Sequence, residues 1–228
     1  MLILKKNNTN KLDDIRFNKE LIKLRKKNKR KFSIFFDKLQ TSVDLYQFWT
    51  NYEVLNVVQK LLKTNITNIT ATDFLLRIDS PIDKNNQLEW HQDSSYFRQN
   101  NSGFNGINCW APLTNLKVNM GPLEFLENSH KMGIIKVKKE RLGKFKSLQR
   151  KLPENTTKNF KINSFELNRG DIIFLNMDIV HRSGHNYSKV FRMTTICRYH
   201  NSSSKDFNSG LNIYRYSNKK INKQVHGF

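Results

Sequence analysis

Apolar residues in the first third of the chain recur at a helical spacing. From Ile15 to Leu39 they interrupt a strongly basic sequence at Leu21, Ile22, Leu24, Phe32, Phe35, Phe36 and Leu39. A second stripe of this kind consists of Leu55, Val58, Leu61 and Leu62. Because residues three and four apart share one face of a helix, the pattern predicts amphipathic helices that pack against another layer. Ser42 and Asn51 precede two of these helices and are predicted N-caps.

From residue 69 onward the pattern changes to short runs of β-branched and aromatic residues, which Asn, Gly, Ser and Pro separate. The predicted strands are Ile69–Ile78, Leu88–Asp93, Gly106–Leu113, Pro122–Leu126, Lys161–Leu167, Asp171–Met177, Val190–Tyr199 and, with a weaker pattern, Leu211–Tyr216. Strands at this spacing, with no long helices between them, are typical of an antiparallel sandwich or barrel.

A Lys-rich connection from Ser129 to Asn159 has some helical character and no strand pattern. A connection of this length in a compact domain is usually a functional lid or a disordered segment. The sequence contains no internal repeat and no domain linker, so residues 1–228 are predicted to form a single domain. Its parts are a helical region over 1–65, a β core over 66–217 and a basic, lid-like connection over 130–160.

The excess of basic residues suggests three classes of binding partner. The 228 residues carry a formal net charge of +21, which suggests nucleic acid, an anionic membrane surface or an acidic substrate. However, Lys, Asn, Ile and Phe are all abundant, as an AT-rich coding sequence produces without selection for binding. There is no helix-turn-helix signature and no basic motif interleaved with aromatic residues, so no specific nucleic-acid partner is expected.

Neither a membrane span nor a secretion signal is predicted. No apolar run approaches the roughly 20 residues that a bilayer requires, and Lys5 and Lys6 cut the opening apolar run short. We therefore expect a cytoplasmic protein. Cys109 and Cys197 are too few for a disulfide framework or a zinc site, and they are predicted to be small apolar core residues of strands.

The segment Trp90-His91-Gln92-Asp93 carries the first chemical signal. In a strand, residues two apart point to the same face, so His91 and Asp93 would project together. An imidazole beside a carboxylate provides two ligands of the 2-His-1-carboxylate site, which leaves three positions open on iron(II). A His-x-Asp triplet arises easily by chance, so this signal needs support from a second segment.

The support comes from the region that begins at Gly170-Asp171. An apolar strand follows there, then His181, and Arg192 comes eleven residues after His181. His181 is the predicted third ligand. A buried arginine presents a planar fork that takes a carboxylate through two bonds, so Arg192 suits the distal carboxylate of a 2-oxo diacid. Ser183 is close enough in sequence to add a hydroxyl donor.

In their order, these motifs resemble the phytanoyl-CoA dioxygenase family of Fe(II)/2-oxoglutarate oxygenases. The resemblance runs from about Thr70 to His200 and does not cover residues 1–65. Its blocks are Trp90-His-Gln-Asp93, Cys109-Trp-Ala-Pro-Leu113, Gly121-Pro-Leu-Glu-Phe125, Asn128-Ser-His-Lys-Met-Gly133, Gly170-Asp-Ile-Ile-Phe174, and His181-Arg-Ser-Gly-His-Asn-Tyr-Ser188 with Arg192.

The resemblance implies a mainly β fold, in which helices flank a double-stranded β-helix (jelly-roll, cupin-like) core. It implies catalytic iron ligands at His91, Asp93 and His181, and a cosubstrate site formed by Arg192, Ser183, Gln92 and Trp110. The implied cofactors are Fe(2+), 2-oxoglutarate and O2. The implied reaction is hydroxylation of an unactivated C–H bond in a small organic substrate, with release of succinate and CO2.

Several alternatives stay open at this point. Related halogenases lack the carboxylate ligand, so the presence of Asp93 favours hydroxylation, with desaturation or oxidative cyclisation at the same site as alternatives. A non-catalytic jelly-roll binding module is a further alternative. The basic segment Lys131–Lys151 suggests an anionic substrate, and the substrate and the oligomeric state are not predicted. Arg198 shares the strand parity of Arg192, so it would bind substrate or pair with a carboxylate. Arg77 would contact cosubstrate or substrate.

Overall fold

Four helices precede the β-rich part of the chain in the computed structural model, which describes residues 2–4, 14–81, 88–97, 99–100, 102–142 and 147–208. They are α1 (Asp14–Lys27), α2 (Lys29–Gln40), α3 (Val43–Thr50) and α4 (Tyr52–Leu62). The predicted helical region is therefore confirmed. Within the described residues, no helix combines the length and the apolar character that crossing a bilayer requires.

The basic region predicted between Ile15 and Leu39 forms two helices, which separate at Asn28. The backbone of Asn28 is extended, and its side-chain oxygen accepts a hydrogen bond from the backbone N–H of Lys31 at 2.9 Å. The predicted caps at Ser42 and Asn51 are confirmed, because each side chain accepts a bond from a backbone N–H in the first turn that follows. Each cap satisfies a donor that the helix itself leaves unpaired.

Ten strands form three antiparallel sheets in the described part of the chain. The strands are β1 (Leu2–Leu4), β2 (Ile69–Asp79), β3 (Gly106–Pro112), β4 (Leu123–Leu126), β5 (Lys138–Leu142), β6 (Ser147–Lys151), β7 (Ile162–Ser164), β8 (Ile172–Asn176), β9 (His181–Ser183) and β10 (Arg192–Asn201). The large sheet has the order β1-β8-β3-β10-β2, the small sheet has the order β7-β4-β9, and β5 and β6 form a hairpin. The predicted jelly-roll core with flanking helices is confirmed, whereas a single domain over 1–228 stays a prediction.

The large sheet buries a different core on each of its faces. On the outer face, Cys197 packs with Trp49 and Val58 of the helices. On the inner face, Ile196 packs with Trp110 of β3 and Phe125 of the small sheet, so the two sheets enclose a common interior. Because side chains alternate along a strand, residues 192, 194 and 198 of β10 share the inward face of residue 196. Both cysteines are buried and free, as predicted.

Buried polar bonds attach the helical layer to β10. Trp49 donates its indole N–H to the hydroxyl of Thr195 at 2.9 Å, and the hydroxyl of Tyr199 donates to the backbone oxygen of Trp49. The Thr195 hydroxyl in turn donates to the carbonyl of Leu75 on β2, also at 2.9 Å. Burial raises the pKa of Tyr199 above its ordinary value, so its hydroxyl stays protonated as a donor. Helix α3 thus holds the strand whose inner face carries Arg192 and Arg198.

Two predictions about strands are wrong, one for a strand that is absent and one for a hairpin that was not predicted. The segment Leu88–Asp93 is not a regular strand, since it makes one isolated bridge and then enters a 3-10 turn at Asp93–Ser95. The connection Ser129–Asn159, for which no strand was predicted, contains the β5–β6 hairpin. Buried Leu152, next to β6, packs with Leu126 and Val180. Contacts with distant residues therefore favour the hairpin where local sequence preference does not.

Two short strands were not predicted at all. Strand β1 pairs with β8 at the edge of the large sheet, and β9 pairs with β4 in the small sheet. Both have only three residues, which is too short for an alternating pattern to be recognised in sequence. The predicted strand Leu211–Tyr216 lies outside the described residues.

The side chain of Gln40 covers part of the free edge of β2. Its amide N–H donates to the carbonyl of Phe74, and its oxygen accepts a bond from the backbone N–H of Leu76 at 2.7 Å. The amide thereby takes the place of a neighbouring strand over one residue pair. A side chain from the end of α2 thus pairs the edge main chain and positions the helix on the sheet.

We predict that Gln40→Ala lowers the free energy of unfolding by about 1–3 kcal/mol, because two part-buried main-chain groups lose their partners. Urea unfolding of the purified chain measures this change. Gln47→Ala is the matched control, since Gln47 is exposed on α3 and its loss should change stability by less than about 0.5 kcal/mol. Equal effects of the two substitutions would contradict the role given to Gln40.

Candidate metal centre

The two segments of the predicted metal motif meet through one backbone bridge. The N–H of His91 donates to the carbonyl of His181 at 3.0 Å, and the N–H of His181 donates to the carbonyl of His91 at 2.9 Å. Between the first two ligands, Gln92 has extended backbone angles of φ −112 and ψ 137. One extended residue is enough to project His91 and Asp93 to the same side, although the predicted strand around them is absent.

His91, Asp93 and His181 converge in the interior. The Oδ1 atom of Asp93 lies 3.7 Å from Nε2 of His91 and 3.9 Å from Nε2 of His181. The three ligand atoms all lie within 4.8 Å of one another, and all three residues are buried. Two bonds of about 2.1 Å to one ion span at most about 4.2 Å. The two distances to Oδ1 are therefore compatible with a shared metal ion.

Backbone carbonyls orient both imidazoles. Nδ1 of His91 lies 2.7 Å from the carbonyl of Glu89, and Nδ1 of His181 lies 3.0 Å from the carbonyl of Ile179. A carbonyl only accepts hydrogen bonds, so each Nδ1 carries the proton and each Nε2 directs its lone pair towards Asp93. Burial, together with nearby His91, lowers the pKa of His181 to about 4. His181 is therefore neutral near pH 7, as metal ligation requires.

Arg198 keeps the carboxylate of Asp93 ionised. Its Nε donates to Oδ2 of Asp93 at 3.0 Å, and its Nη2 donates to Oδ1 at 3.3 Å. Burial alone would raise the pKa of Asp93, but Arg198 and the two imidazoles outweigh this effect and lower the pKa below its ordinary value. Of the two roles left open for Arg198, pairing with a carboxylate is the one observed. Strand parity with Arg192 was the signal in the sequence, but the sequence did not identify the partner.

Arg192 is buried at the opposite end of the inner face of β10. Its Nε and Nη2 donate to Oδ2 of Asp79 at 3.1 and 2.8 Å, and its Nη1 donates to the carbonyls of Gly184, at 3.0 Å, and Gly121. Four of its five N–H groups are thus used within the protein. Nη2 of Arg77 donates to Oδ1 of Asp79 at 3.0 Å. Asp79 therefore brings two guanidinium groups together.

Two glycines bring the carbonyl partners of Arg192 together. Gly121 has a φ of +71, and a Cβ there would overlap the carbonyl oxygen of Gly184. A Cβ on Gly184 would overlap the carbonyl oxygen of Pro122, to which Gly184 donates its own N–H at 3.1 Å. Only glycine allows this positive φ and this close approach without strain. The blocks that begin at Gly121 and at His181 therefore meet around one guanidinium.

The other three predicted site residues occupy different surroundings. Gln92 points away from the ligands, and its amide bonds to the carbonyls of Gly133 and Asp178, at 2.8 and 2.6 Å, and to the N–H of Ile135, at 2.8 Å. Its polar atoms are thereby used to hold the segment before β5. Trp110 lies on the inner face opposite Ile196. Ser183 is half-buried on β9, beside β4.

The hairpin β5–β6 lies beside the centre. A cavity of about 350 Å³ reaches His91 and is lined by Trp90, Tyr96, Arg150 and Lys151, among others. A second cavity, of about 530 Å³, shares the lining residues 151–154 and extends to Lys136 and Lys138. The hydroxyl of Tyr96 accepts a bond from the backbone N–H of Arg150 at 2.8 Å, which connects the hairpin to the turn that follows Asp93.

Comparison with known proteins identifies a family whose model matches most of the chain. A family model described as phytanoyl-CoA dioxygenase (PhyH) matches residues 4–194. This match includes the N-terminal helices, so the expectation that residues 1–65 lie outside the resemblance is wrong. No curated protein matches the sequence.

Three solved structures illustrate the similarity in fold. The epimerase SnoN in complex with Fe3+, alpha ketoglutarate and nogalamycin RO is 16% identical over 77% of this chain and 65% of its own, with a TM-score of 0.58. EvdO2 from Micromonospora carbonacea var. aurantiaca, complexed with 2-oxoglutarate, is 14% identical over 72% and 67%, with a TM-score of 0.54. The apo form of the non-heme monooxygenase ThoJ is 18% identical over 66% and 52%, with a TM-score of 0.51. At these identities the likeness shows a common fold, and this chain spans less than two thirds of the SnoN and ThoJ chains.

Proposed function

The chain belongs to the phytanoyl-CoA dioxygenase family, and we propose that it is an iron(II)- and 2-oxoglutarate-dependent oxygenase with His91, Asp93 and His181 as metal ligands. The observation that carries the proposal is the convergence of these three buried side chains from two distant segments. Each imidazole is also held in the tautomer that ligation needs. The iron and 2-oxoglutarate bound to SnoN, and the 2-oxoglutarate bound to EvdO2, support the same cofactors here.

The proposed ligands define the reaction that the site would support. Bound iron(II) would couple loss of CO2 from 2-oxoglutarate to the use of O2, with one oxygen atom entering succinate and the other entering a substrate C–H bond. The three side chains would hold iron(II) from one side, and a set of two histidines and one carboxylate leaves coordination positions for cosubstrate and O2. Trp110 and Ile196 line an apolar interior that would exclude water from these positions.

Arg192 would hold the distal carboxylate of 2-oxoglutarate with Arg77 and Ser183 nearby. Both guanidinium groups bond to Asp79, which brings two cations together where the carboxylate of the cosubstrate would bind. Asp79 fixes the orientation of both guanidinium groups. Because the polar atoms of Gln92 are already bonded to the main chain, its proposed role is to position the ligands rather than to contact the cosubstrate.

Hydroxylation is the proposed outcome, because Asp93 occupies the position that halogenases leave for a halide. SnoN is an epimerase, so desaturation, cyclisation or another oxidation at the same site is the second candidate. A pure binding module is less favoured, because the chain retains all three ligands in a buried geometry suited to metal binding. A cytoplasmic location stays a prediction.

We predict that His181→Ala and Asp93→Ala each weaken iron(II) binding by more than about 100-fold and abolish succinate formation from 2-oxoglutarate, because each removes a metal ligand. Anaerobic titration with iron(II) and 2-oxoglutarate, followed by the visible charge-transfer band, measures the effect. His185→Ala is the matched control, because His185 is half-buried beside Tyr187 and outside the ligand group. Succinate formation at the wild-type rate by either ligand variant would show that the assignment is wrong.

We predict that Arg192→Ala raises the 2-oxoglutarate concentration needed for half-maximal succinate formation by about 10- to 100-fold. The iron(II) requirement should change by less than about twofold, since Arg192 is at the far end of β10 from the ligand carboxylate. The double variant Asp79→Asn/Arg192→Gln controls for the unpaired charge of Asp79 by removing the buried pair together. An unchanged 2-oxoglutarate dependence in both variants would place the anchor elsewhere.

We propose further that the substrate carries an anionic group, which the β5–β6 hairpin would bind. In the hairpin register, Lys138 is directly opposite Lys151. Basic side chains at opposing positions on one surface would attract an anionic group. Arg150 and Lys151 also line the cavity that reaches His91. The alternative is a solvated basic face that reflects codon composition.

We predict that Lys138→Gln/Lys151→Gln weakens turnover of the anionic substrate by about tenfold at low salt and flattens its salt dependence. The assay is substrate-stimulated succinate release with acyl compounds that carry carboxylate, phosphate or coenzyme A groups, each compared with an uncharged ester or amide. Lys19→Gln/Lys60→Gln removes the same charge from exposed helical positions and should have no effect. Best turnover of the uncharged compounds, or equal behaviour of the two double variants, would favour the codon-composition alternative.

A further inference from the structure

Arg198 orients the two oxygens of Asp93 differently. Oδ1, which lies 3.7 and 3.9 Å from the histidine Nε2 atoms, faces the metal position. Oδ2 is turned away from it and accepts the shorter bond from Arg198, at 3.0 Å against 3.3 Å for Oδ1. Arg198 is only 6% exposed and Asp93 only 1%, so the pair is shielded from water.

The guanidinium plane of Arg198 is fixed by an aromatic ring from the same turn as its carboxylate. The guanidinium carbon lies 3.8 Å from the ring centroid of Phe97. The backbone N–H of Phe97 donates to the carbonyl of Asp93 at 2.8 Å, so the ring and the carboxylate belong to one hydrogen-bonded turn. Stacking on a ring holds the plane of an arginine in a way that a lysine cannot reproduce.

A bulge in β2 brings a second carboxylate to Arg198. The pairing of β10 with β2 shifts register between Ile196 and Arg198, and Asp73 at this point has a positive φ of 57. Its Oδ2 lies 3.7 Å from Nη1 of Arg198. A positive φ is uncommon for a residue other than glycine and is found at bulges and functional sites. The bulge therefore places a partly exposed carboxylate beside the guanidinium, on the β2 side of β10.

We propose that Arg198 is a positioning residue that makes Asp93 a ligand through one oxygen only. A free carboxylate can bind one ion through both oxygens, which would occupy a further coordination position. Hydrogen bonding of Oδ2 to a fixed guanidinium opposes that rotation and keeps the position open for the cosubstrate. This inference rests on the proposed function, because it concerns the same three ligands.

Arg198 also balances the charge of Asp93 when no metal is bound. Among the described residues, it makes the only arginine or lysine ion pair with this carboxylate. Removal of Arg198 would leave a buried charge that only a metal ion could compensate. A metal ion should therefore stabilise a variant without Arg198 more than it stabilises the wild type.

The test uses Arg198→Met with cobalt(II), a redox-stable probe whose visible bands report the coordination number. Wild-type and variant chains should both bind cobalt(II). Affinity of the cobalt-loaded variant for 2-oxoglutarate should fall by about 10- to 100-fold, as for other groups that orient a ligand. The rise in Tm on adding cobalt(II) should be larger in the variant by about 5 °C or more.

Arg182→Met is the matched control, because Arg182 also pairs with a carboxylate, that of Glu124 at 2.6 Å, and lies 4.5 Å over the ring of Trp90. It should behave as the wild type in 2-oxoglutarate binding. Arg198→Lys keeps a charge beside Asp93 and protects folding, so it provides the same test if the methionine variant does not fold. It should also weaken 2-oxoglutarate binding, because an ammonium cannot bond to both oxygens as a guanidinium does.

The possible outcomes distinguish the role of Arg198 from the proposed function of the site. Equal 2-oxoglutarate affinity and equal cobalt bands in the wild type, Arg198→Met and Arg198→Lys would overturn the role of Arg198 and leave the proposed function intact. A wild-type chain that binds no cobalt(II) and no iron(II) would overturn both. Weaker 2-oxoglutarate binding in the Arg198 variants, with cobalt(II) retained, supports the inference.

Discussion

The two hydrogen bonds between the backbones of His91 and His181 join segments that are far apart in sequence. Because each histidine lies at the bridge itself, both imidazoles leave the backbone at the same level and on the same side. The extended Gln92 then brings Asp93 to them, and β9 pairs with β4 from the same starting residue. The remaining parts of the centre, from its carboxylate to the glycine contact around Arg192, are arranged relative to this one pairing.

The interior of the jelly roll contains more charge than an apolar core would favour, and the charges are arranged in two groups. Arg192 and Arg77 meet at Asp79, whereas Asp93 and Asp73 meet at Arg198. Buried ion pairs of this kind add little net stability, since desolvation offsets most of their attraction. Their contribution is to geometry, because each group fixes the orientation of side chains that would otherwise rotate. The first group brings two guanidinium groups together and the second brings two carboxylates together, which would suit the proposed dianionic cosubstrate at one end and the proposed metal cation at the other.

The sequence was sufficient for features that depend on local pattern. The helices, the caps at Ser42 and Asn51, and strands such as β3 and β10 follow from periodicity. The triplet His91-Gln92-Asp93 and the distant His181 were enough to predict that these side chains converge. It was insufficient where pairing with distant residues decides the structure, as in the hairpin β5–β6 and the irregular segment around His91. The partners of Arg198 and Gln92 could not be predicted either, because strand parity gives the side of a residue but not its neighbour.

The amide of Gln92 has a mechanical consequence. It lies between two ligands in sequence, yet it is bonded to Gly133 and Ile135, which lead directly into the hairpin. Tyr96, in the turn after Asp93, makes a second connection, to Arg150 on the other hairpin strand. The segment from Gln92 to Tyr96 is thus connected to the hairpin at two places, before strand β5 and on strand β6. Any molecule that displaces the hairpin on entering the cavity would also shift His91 and Asp93, so the proposed metal site would respond to a substrate that has not yet reached it.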